Sequence, residues 1–257
     1  MKLLIKKIAK TEIVILLRNT LKIRPLPMYH KKSKTPLTVS DAFLWRTDSG
    51  FKTKFKFADI INIFYKLKNS KIELHFYSNK NKLIKIFPFN DLKLSNEIDI
   101  NSEFLDGITD FGAFYVYHLI DNNKTIKNDI ISNRCYIGYS KNSSLYSFVH
   151  GNTLAKYKNI SNEKRTHTNI VKTSLLANYS YTIQKFFDNF DKNELVFINP
   201  TSKIIRMCIE NKNYKLEPGN TIIIETQSKI LTIKSNCLFL RPTVFSYKNS
   251  FVDIHHS

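Results

Sequence analysis

Histidine is the residue type whose positions in this sequence best suggest chemistry. Four of the seven histidines lie where strands are expected to end: His118, His150, His255 and His256. Neighbouring strand ends can bring such side chains together, and a carboxylate such as Asp253 would complete a divalent-metal or acid–base site. His255 and His256 are adjacent, so on a strand they point to opposite faces. One hypothesis is therefore a metal site made of His118, His150, Asp253 and His255, although their spacing matches no known metal motif.

Aromatic residues beside polar ones suggest a second kind of site, a sugar-binding surface. Gly151 permits a sharp turn that would present His150 and Asn152 at a loop tip, beside Trp45, Tyr136, Tyr139 and Tyr146. Aromatic rings stack on the C–H faces of sugars, while imidazoles and amides bond the hydroxyls. The predicted ligand-binding surface consists of Trp45, His118, Tyr139, His150 and Asn152.

The sequence contains no catalytic signature. The patterns G-x-S-x-G, G-x-x-x-x-G-K-[ST] and G-x-G-x-x-G do not occur, so no nucleophile or nucleotide loop can be named. Arg46 and Asp48 lie in the turn-like stretch 45–50 and are interpreted as an ion pair that holds a β-turn. We therefore expect no cofactor and leave open whether the protein is an enzyme.

The net charge of +19 would ordinarily indicate a polyanionic partner. Only seven of the 40 basic residues are Arg, which is the residue suited to bidentate phosphate and base contacts, and the lysines are spread along the chain. Nucleic-acid binding is therefore disfavoured and remains an alternative. Three isolated cysteines without a C-x-x-C pair fit a reducing compartment, and we expect a cytoplasmic protein.

Residues 1–23 carry apolar side chains at helical spacing, at Ile5, Ala9, Ile13 and Leu16. This pattern predicts an amphipathic helix that packs on the following domain or contacts an anionic membrane surface. A basic, proline-containing linker follows it. No stretch of about 20 apolar residues is present that would span a bilayer.

From residue 40 the period changes to the two-residue alternation of β-strands. Residues 51–57 place Phe and Thr at odd positions and Lys at even ones, which predicts one buried and one solvated face. Residues 72–77 and 83–87 predict a hairpin closed by a polar loop. The runs 195–198 and 221–225 predict further strands near the C-terminus.

Two turns in the last part of the chain resemble a pattern of immunoglobulin-like β-sandwiches. The turn Asn199-Pro200-Thr201-Ser202 follows one strand, and Leu216-Glu217-Pro218-Gly219 precedes another. The resemblance covers about a quarter of the chain and implies a superfamily without an activity.

The sequence thus predicts a mainly β protein with two antiparallel, immunoglobulin-like β-sandwich domains after an N-terminal amphipathic helix. The predicted parts are the helix and basic linker at 1–36, a first sandwich at 37–151, a polar linker at 152–177 and a second sandwich at 178–257. The predicted function is non-catalytic binding of a carbohydrate or protein partner, linked to surface polysaccharide metabolism. The alternatives are a metal- or His-dependent enzyme with its site between the domains, and a nonspecific nucleic-acid-binding protein.

Overall fold

A computed structural model describes residues 8–9, 11, 13–14, 16–17, 37–68, 70–119, 130–132, 135–159, 167–183, 190–228, 230–238, 240–249 and 251–256. Within these residues the protein is mainly β, as the alternating pattern predicts. A short helix, α1, spans Ile60–Tyr65. The strands are β1 Leu37–Arg46, β2 Phe51–Ala58, β3 Lys71–Ser78, β4 Leu83–Phe89, β5 Ser95–Ile100, β6 Phe111–Leu119, β7 Ile130–Ser132, β8 Tyr136–Lys141, β9 Ser147–His150, β10 Asn152–Asn159, β11 His167–Asn169, β12 Tyr179–Ile183, β13 Lys192–Ile198, β14 Ile205–Ile209, β15 Lys212–Leu216, β16 Thr221–Thr226, β17 Leu231–Ser235, β18 Thr243–Lys248 and β19 Phe251–His256.

The strands form four sheets. The first sheet has the order β11-β10-β1-β6-β3-β4, with β7 beside β1, and the other three sheets have four strands each. Their orders are β5-β2-β8-β9 (second), β16-β13-β18-β19 (third) and β12-β17-β14-β15 (fourth). The predicted hairpin is confirmed, since β3 and β4 pair antiparallel across the loop 79–82.

The third sheet is buried on both of its faces. Val196, Phe245 and Ile254 point into a core that also contains side chains of the first and second sheets. Leu195 and Phe197 point the other way, into a core shared with the fourth sheet. Because successive residues of a strand point to opposite faces, the apolar run 195–198 contributes to both cores at once.

This shared sheet shows that the prediction of two immunoglobulin-like sandwiches was wrong. Two such sandwiches would each enclose a core of their own, whereas here one sheet closes two cores and links the N-terminal strands to the C-terminal ones. The four sheets correspond to the arrangement of a four-bladed β-propeller. Alternation along a strand reveals which residues are buried, but not which sheet buries them, and the prediction failed on that point.

Two of the predicted segments differ from the structure or lie outside it. The prediction of an N-terminal amphipathic helix was wrong, and within 1–36 only residues 8–9, 11, 13–14 and 16–17 are described. The basic linker lies outside the described residues. The polar interval 152–177 contains strands β10 and β11, which extend the first sheet. The exact division into domains stays a prediction.

The predicted Asn-Pro turn is organised by a buried side chain. The Asn199 amide nitrogen donates to the carbonyls of Lys203 and Leu216, at 2.9 and 2.8 Å, and its oxygen accepts from the Thr201 backbone N–H at 2.9 Å. The Gly219 backbone N–H donates to the Asn199 carbonyl at 2.9 Å. One amide therefore joins the two turns on which the immunoglobulin-like resemblance rested.

Among the described residues, no helix has the length and apolar character needed to cross a bilayer.

Candidate functional site

Two of the predicted sugar-binding residues lie in the core and cannot contact a ligand. Trp45 is fully buried and donates its indole N–H to the Tyr77 carbonyl at 2.9 Å. Tyr139 is also buried, and its hydroxyl donates to the Leu44 carbonyl at 2.9 Å. Each polar atom is satisfied inside the fold, so both side chains serve packing.

His118 is buried at a different place in the molecule, beside helix α1. Its Nε2 lies 3.9 Å from Oδ1 of Asp59. Asp59 is the N-cap of α1, because the same oxygen accepts from the Asn62 backbone N–H at 3.1 Å and from the Ser70 hydroxyl at 2.8 Å. His118 and Asp59 therefore help to hold helix α1 in place.

The hypothetical metal set is not assembled. Asp253 and His255 are neighbours, with Oδ2 of Asp253 3.9 Å from Nδ1 of His255, but His118 lies beside helix α1. In the part of the chain that the structure describes, no three His, Cys, Asp or Glu side chains are placed to hold a metal ion. The enzyme hypothesis depended on that cluster and has no geometric support.

His150 is the predicted residue that lies on an exposed and chemically distinctive surface. Residues directly opposite each other in adjacent antiparallel strands share a face, so two rows cross the outer side of the second sheet. The rows are Glu97, Lys56, Tyr136, His150 and Asp99, Lys54, Gly138, Phe148. Tyr146 is the residue before strand β9, and its ring centre lies 5.9 Å from that of Phe148. We call Tyr136, Tyr146, Phe148 and His150 the aromatic face.

The rings of the aromatic face remain open to solvent. Tyr136 is 50% exposed and Phe148 is 38% exposed. The Tyr136 ring centre lies 4.5 Å from that of His150, with 39° between the ring planes. Exposed aromatic side chains grouped in this way mark interaction sites more often than isolated ones.

Gly138 allows the Phe148 ring to lie against strand β8. A Cβ atom at position 138 would be 2.5 Å from Cε1 of Phe148, closer than real Cβ contacts permit. The glycine thus leaves a shallow depression that the ring fills. Any larger residue at this position would push Phe148 away from the sheet.

Lys54 and Lys56 lie beside the aromatic face, and acidic side chains on strand β5 neutralise most of their charge. Nζ of Lys54 lies 2.8 Å from Oδ1 of Asp99 and 3.4 Å from Oε1 of Glu97. The bond with Asp99 is the main reason why the pKa of Lys54 is raised. Nζ of Lys56 lies 3.7 Å from Glu97 and 5.0 Å from the Phe148 ring centre. The face is therefore polar and aromatic without a strong positive field.

Asn152 lies beyond the end of β9 and contributes to packing of the chain. Its amide donates to the Arg241 carbonyl, so it does not stand free at a loop tip. The turn at Gly151 is tight because a Cβ there would be 2.5 Å from both Asp41 and Phe43. Of the five predicted residues, His150 is therefore the one that lies on the aromatic face.

Strands β9 and β19 run side by side and are joined through side chains. The Ile254 backbone N–H donates to Oγ of Ser147 at 3.1 Å. Nε2 of His256 lies 2.6 Å from the His150 carbonyl oxygen, so Nε2 carries the proton and donates it. Among the described residues, Nδ1 of His256 is buried with no hydrogen-bond partner. The second and third sheets thus meet at a histidine contact next to the aromatic face.

His255 and His256, both on strand β19, resist protonation. Burial lowers the pKa of His256, and the charges of Arg241, His150 and His255 lower it further, against the effect of its bond to the His150 carbonyl. Burial also lowers the pKa of His255, while Asp253 opposes this effect. An added proton on Nδ1 of His256 would be buried without an acceptor.

We expect protonation of His255 and His256 to destabilise the folded state as the pH falls below about 6.5. The pKa values of His255 and His256 in the folded state lie below the ordinary value of 6.5, so the unfolded chain binds protons more readily. Their contribution is complete above that value and is lost as the pH falls through the folded pKa. Between about pH 7 and about pH 5 the thermal midpoint should shift downward more in the unmodified protein than in His256→Gln, whose amide still donates. Asp41, whose pKa burial raises to about 6, acts in the opposite direction in both proteins. Equal shifts in both proteins would exclude His256 as the cause.

A buried ion-pair network lies where strand β1 meets the third sheet. The Arg46 guanidinium binds both carboxylate oxygens of Asp48, at 2.9 and 2.7 Å, which confirms the predicted ion pair. Its Nη1 also donates to Oε2 of Glu194 at 2.6 Å, and the Tyr247 hydroxyl donates to the same oxygen at 2.5 Å. Arg46 lies 4.0 Å from the Phe51 ring centre. Because the side chain of Arg46 is buried and fully engaged, this network is structural.

A polar cleft of about 450 Å³ opens at the end of the third sheet where strand β13 begins and strand β16 ends. It is lined by Lys192, Glu210, Glu225, Thr226, Gln227 and Ser228. The Thr226 hydroxyl donates to Glu210 at 3.2 Å, and Lys192 pairs with Glu225 at 3.1 Å. The cleft has no aromatic wall, and its charges bind one another.

No protein-family model matches the sequence, and neither does any curated protein. The aromatic face is accordingly interpreted from its own geometry.

The aromatic face could have been found from strand parity. Tyr136 and Tyr139 are three residues apart on one strand, so they cannot share a face, and the buried one is Tyr139. The alternating lysines of β2 mark the outer side of the same sheet. What the sequence does not show is that β2, β8 and β9 are neighbours in the register that aligns them.

Proposed function

We propose that this protein is a non-catalytic binding protein whose aromatic face binds carbohydrate. The observation that carries the proposal is the pair of open rings, Tyr136 and Phe148, beside the exposed imidazole of His150 on the outer side of the second sheet. Apolar C–H faces of a sugar ring fit such aromatic surfaces, and His150 supplies a polar group for hydroxyls.

The polar residues around the rings support a sugar as the ligand. Lys54, Glu97 and Asp99 provide both donors and acceptors within one sheet face. A hydroxyl group both donates and accepts, so a mixed surface can bind it at several points. An open sheet face of this kind suits a glycan chain that lies along the strands.

Single-stranded nucleic acid is the competing ligand, because bases also stack on exposed rings. Such binding needs cations that neutralise phosphates. On this face Lys54 and Lys56 already pair with carboxylates, which leaves exposed Lys52 as the cation without an ion pair among the described residues. The charge balance therefore favours a neutral or weakly charged ligand.

Glycan-array screening and titration with the best-binding glycan test the proposal. We expect Tyr136→Ala and Phe148→Ala each to weaken binding by roughly tenfold, since each removes one stacking ring. Gly138→Ala should weaken it as well, because the added Cβ displaces Phe148. Phe64→Ala, which removes an exposed ring on helix α1, serves as the matched control and should leave binding unchanged.

Two results would contradict the assignment. One is the absence of any glycan whose binding depends on Tyr136 and Phe148. The other is tight binding of a single-stranded oligonucleotide that weakens steeply with salt and requires the same two residues, which would establish nucleic acid as the ligand.

A further inference from the structure

Two adjacent leucines stand uncovered on a turn beside the fourth sheet. Leu175 is 81% exposed and Leu176 is 80% exposed. The turn is held firmly, because the Ser174 backbone N–H donates to the Asn236 carbonyl at 2.7 Å and the Ala177 backbone N–H donates to Oγ of Ser174 at 2.9 Å. We call this pair the leucine tip. Apolar side chains that a fixed turn holds in water mark a surface for contact with something apolar.

The outer side of the fourth sheet next to the tip is basic. Arg206 lies opposite Lys215, and Lys234 lies opposite Cys208, two residues further along the same strand as Arg206. All three basic side chains are exposed and point to the same side. No ion pair joins them to a carboxylate in the described part of the chain. We call Arg206, Lys215 and Lys234 the basic face.

Asn236 connects the leucine tip to the basic face. Its carbonyl accepts from Ser174, and its side-chain oxygen accepts from the Arg206 backbone N–H at 2.9 Å. Its side-chain nitrogen donates to the carbonyl of Ile204, a residue that is itself partly exposed, at 3.3 Å. Asn236 therefore holds the turn of the leucine tip next to strand β14, which carries Arg206.

We propose that the leucine tip and the basic face together dock this protein on the surface of a bilayer that contains acidic lipids. The leucines enter the boundary between headgroups and acyl chains, while Arg206, Lys215 and Lys234 contact the anionic headgroups. The net charge of +19 draws the whole molecule toward such a surface. The docking surface belongs to a different sheet from the aromatic face and does not depend on its ligand.

A bilayer fits this surface better than a protein partner does. A specific protein interface buries about 800 Å² on each side around a central apolar anchor. Here the central strands β17 and β14 carry Lys234 and Arg206, and the exposed leucines lie on the turn that precedes the edge strand β12. A fluid lipid surface can accept a protruding pair of leucines without a preformed pocket.

Flotation of the protein with lipid vesicles tests the docking surface. We expect binding to phosphatidylcholine vesicles that contain about one third phosphatidylserine, weak binding to pure phosphatidylcholine, and loss of binding as salt is raised. Leu175→Ser with Leu176→Ser should weaken binding by roughly tenfold or more. Arg206→Gln with Lys234→Gln should remove the dependence on phosphatidylserine.

Matched variants distinguish binding through the docking surface from nonspecific hydrophobic or electrostatic binding elsewhere on the protein. Leu145→Ser with Leu94→Ser removes two other exposed leucines, and Lys52→Gln with Lys82→Gln removes the same charge elsewhere. Both should bind vesicles like the unmodified protein. Equal binding to the two kinds of vesicle, or equal losses in the matched variants, would overturn the proposal. Binding of polyglutamate without binding of either vesicle would overturn it too and would indicate an acidic protein partner.

Discussion

Replacing Glu194 by Gln is expected to lower the free energy of unfolding by about 1.5–3 kcal/mol, because it removes one of the two carboxylates that bind the buried Arg46 guanidinium while Asp48 still pairs with it. The side chain of Glu194 is 9% exposed, and that of Arg46 is 3% exposed. Burial opposes ionisation of Glu194, but the charge of Arg46 and the bonds from Tyr247 and Arg46 outweigh it, so its pKa lies below the ordinary value. Urea unfolding at neutral pH measures the loss.

Glu225 offers a control within the same cluster. Lys192 pairs with Glu225 at 3.1 Å and with Glu194 at 3.4 Å, but the Glu225 side chain is 66% exposed. Exposed pairs contribute at most about 1 kcal/mol, so Glu225→Gln should have a small effect. Equal free energies of unfolding for the two variants would show that the buried pair of Glu194 with Arg46 does not stabilise the fold more than the exposed pair of Glu225 with Lys192.

Phe245→Ala and Phe197→Ala are each expected to cost about 3–5 kcal/mol, since both remove a fully buried aromatic ring. Their side chains lie in different cores, Phe245 in the one shared with the first and second sheets and Phe197 in the one shared with the fourth. Because a single sheet supplies both residues, we expect one unfolding transition, and both variants should shift it. Calorimetry is the appropriate measurement.

The number of transitions decides whether the two cores are coupled. Two separate domains would give two transitions, and Phe197→Ala would then lower one of them while leaving the other in place. Phe64→Ala on the surface of helix α1 should leave the midpoint nearly unchanged.

Local structure could be predicted from the sequence because it depends on neighbouring residues. The alternation of residues 51–57 and the polar loop between β3 and β4 determine strands and a hairpin directly. The ion pair of Arg46 with Asp48 was predicted correctly, since the two residues are two positions apart in a turn. Its second partner, Glu194, lies 148 residues away and could not be inferred.

Packing of the sheets could not be predicted from the same pattern, although one signal was present. An unbroken apolar run such as 195–198 is typical of a strand buried on both faces, whereas a sandwich strand with one wet face alternates. The run 195–198 therefore favoured a strand that is buried on both faces. The candidate site failed for a related reason. Strand parity separates Tyr136 from the buried Tyr139, but the register that places Tyr136 beside His150 and groups the exposed rings is not visible in the sequence.

The double burial of the third sheet also has a consequence for synthesis of the protein. A ribosome completes β1 to β10 before it reaches Val196, Phe245 and Ile254, which close the core of those earlier strands. Part of the apolar surface of the nascent chain therefore remains exposed to solvent until β13, β18 and β19 emerge. Contacts between residues so far apart in sequence form slowly, and uncovered strands aggregate. We expect this chain to need chaperone protection during translation more than a protein whose N-terminal core closes on its own.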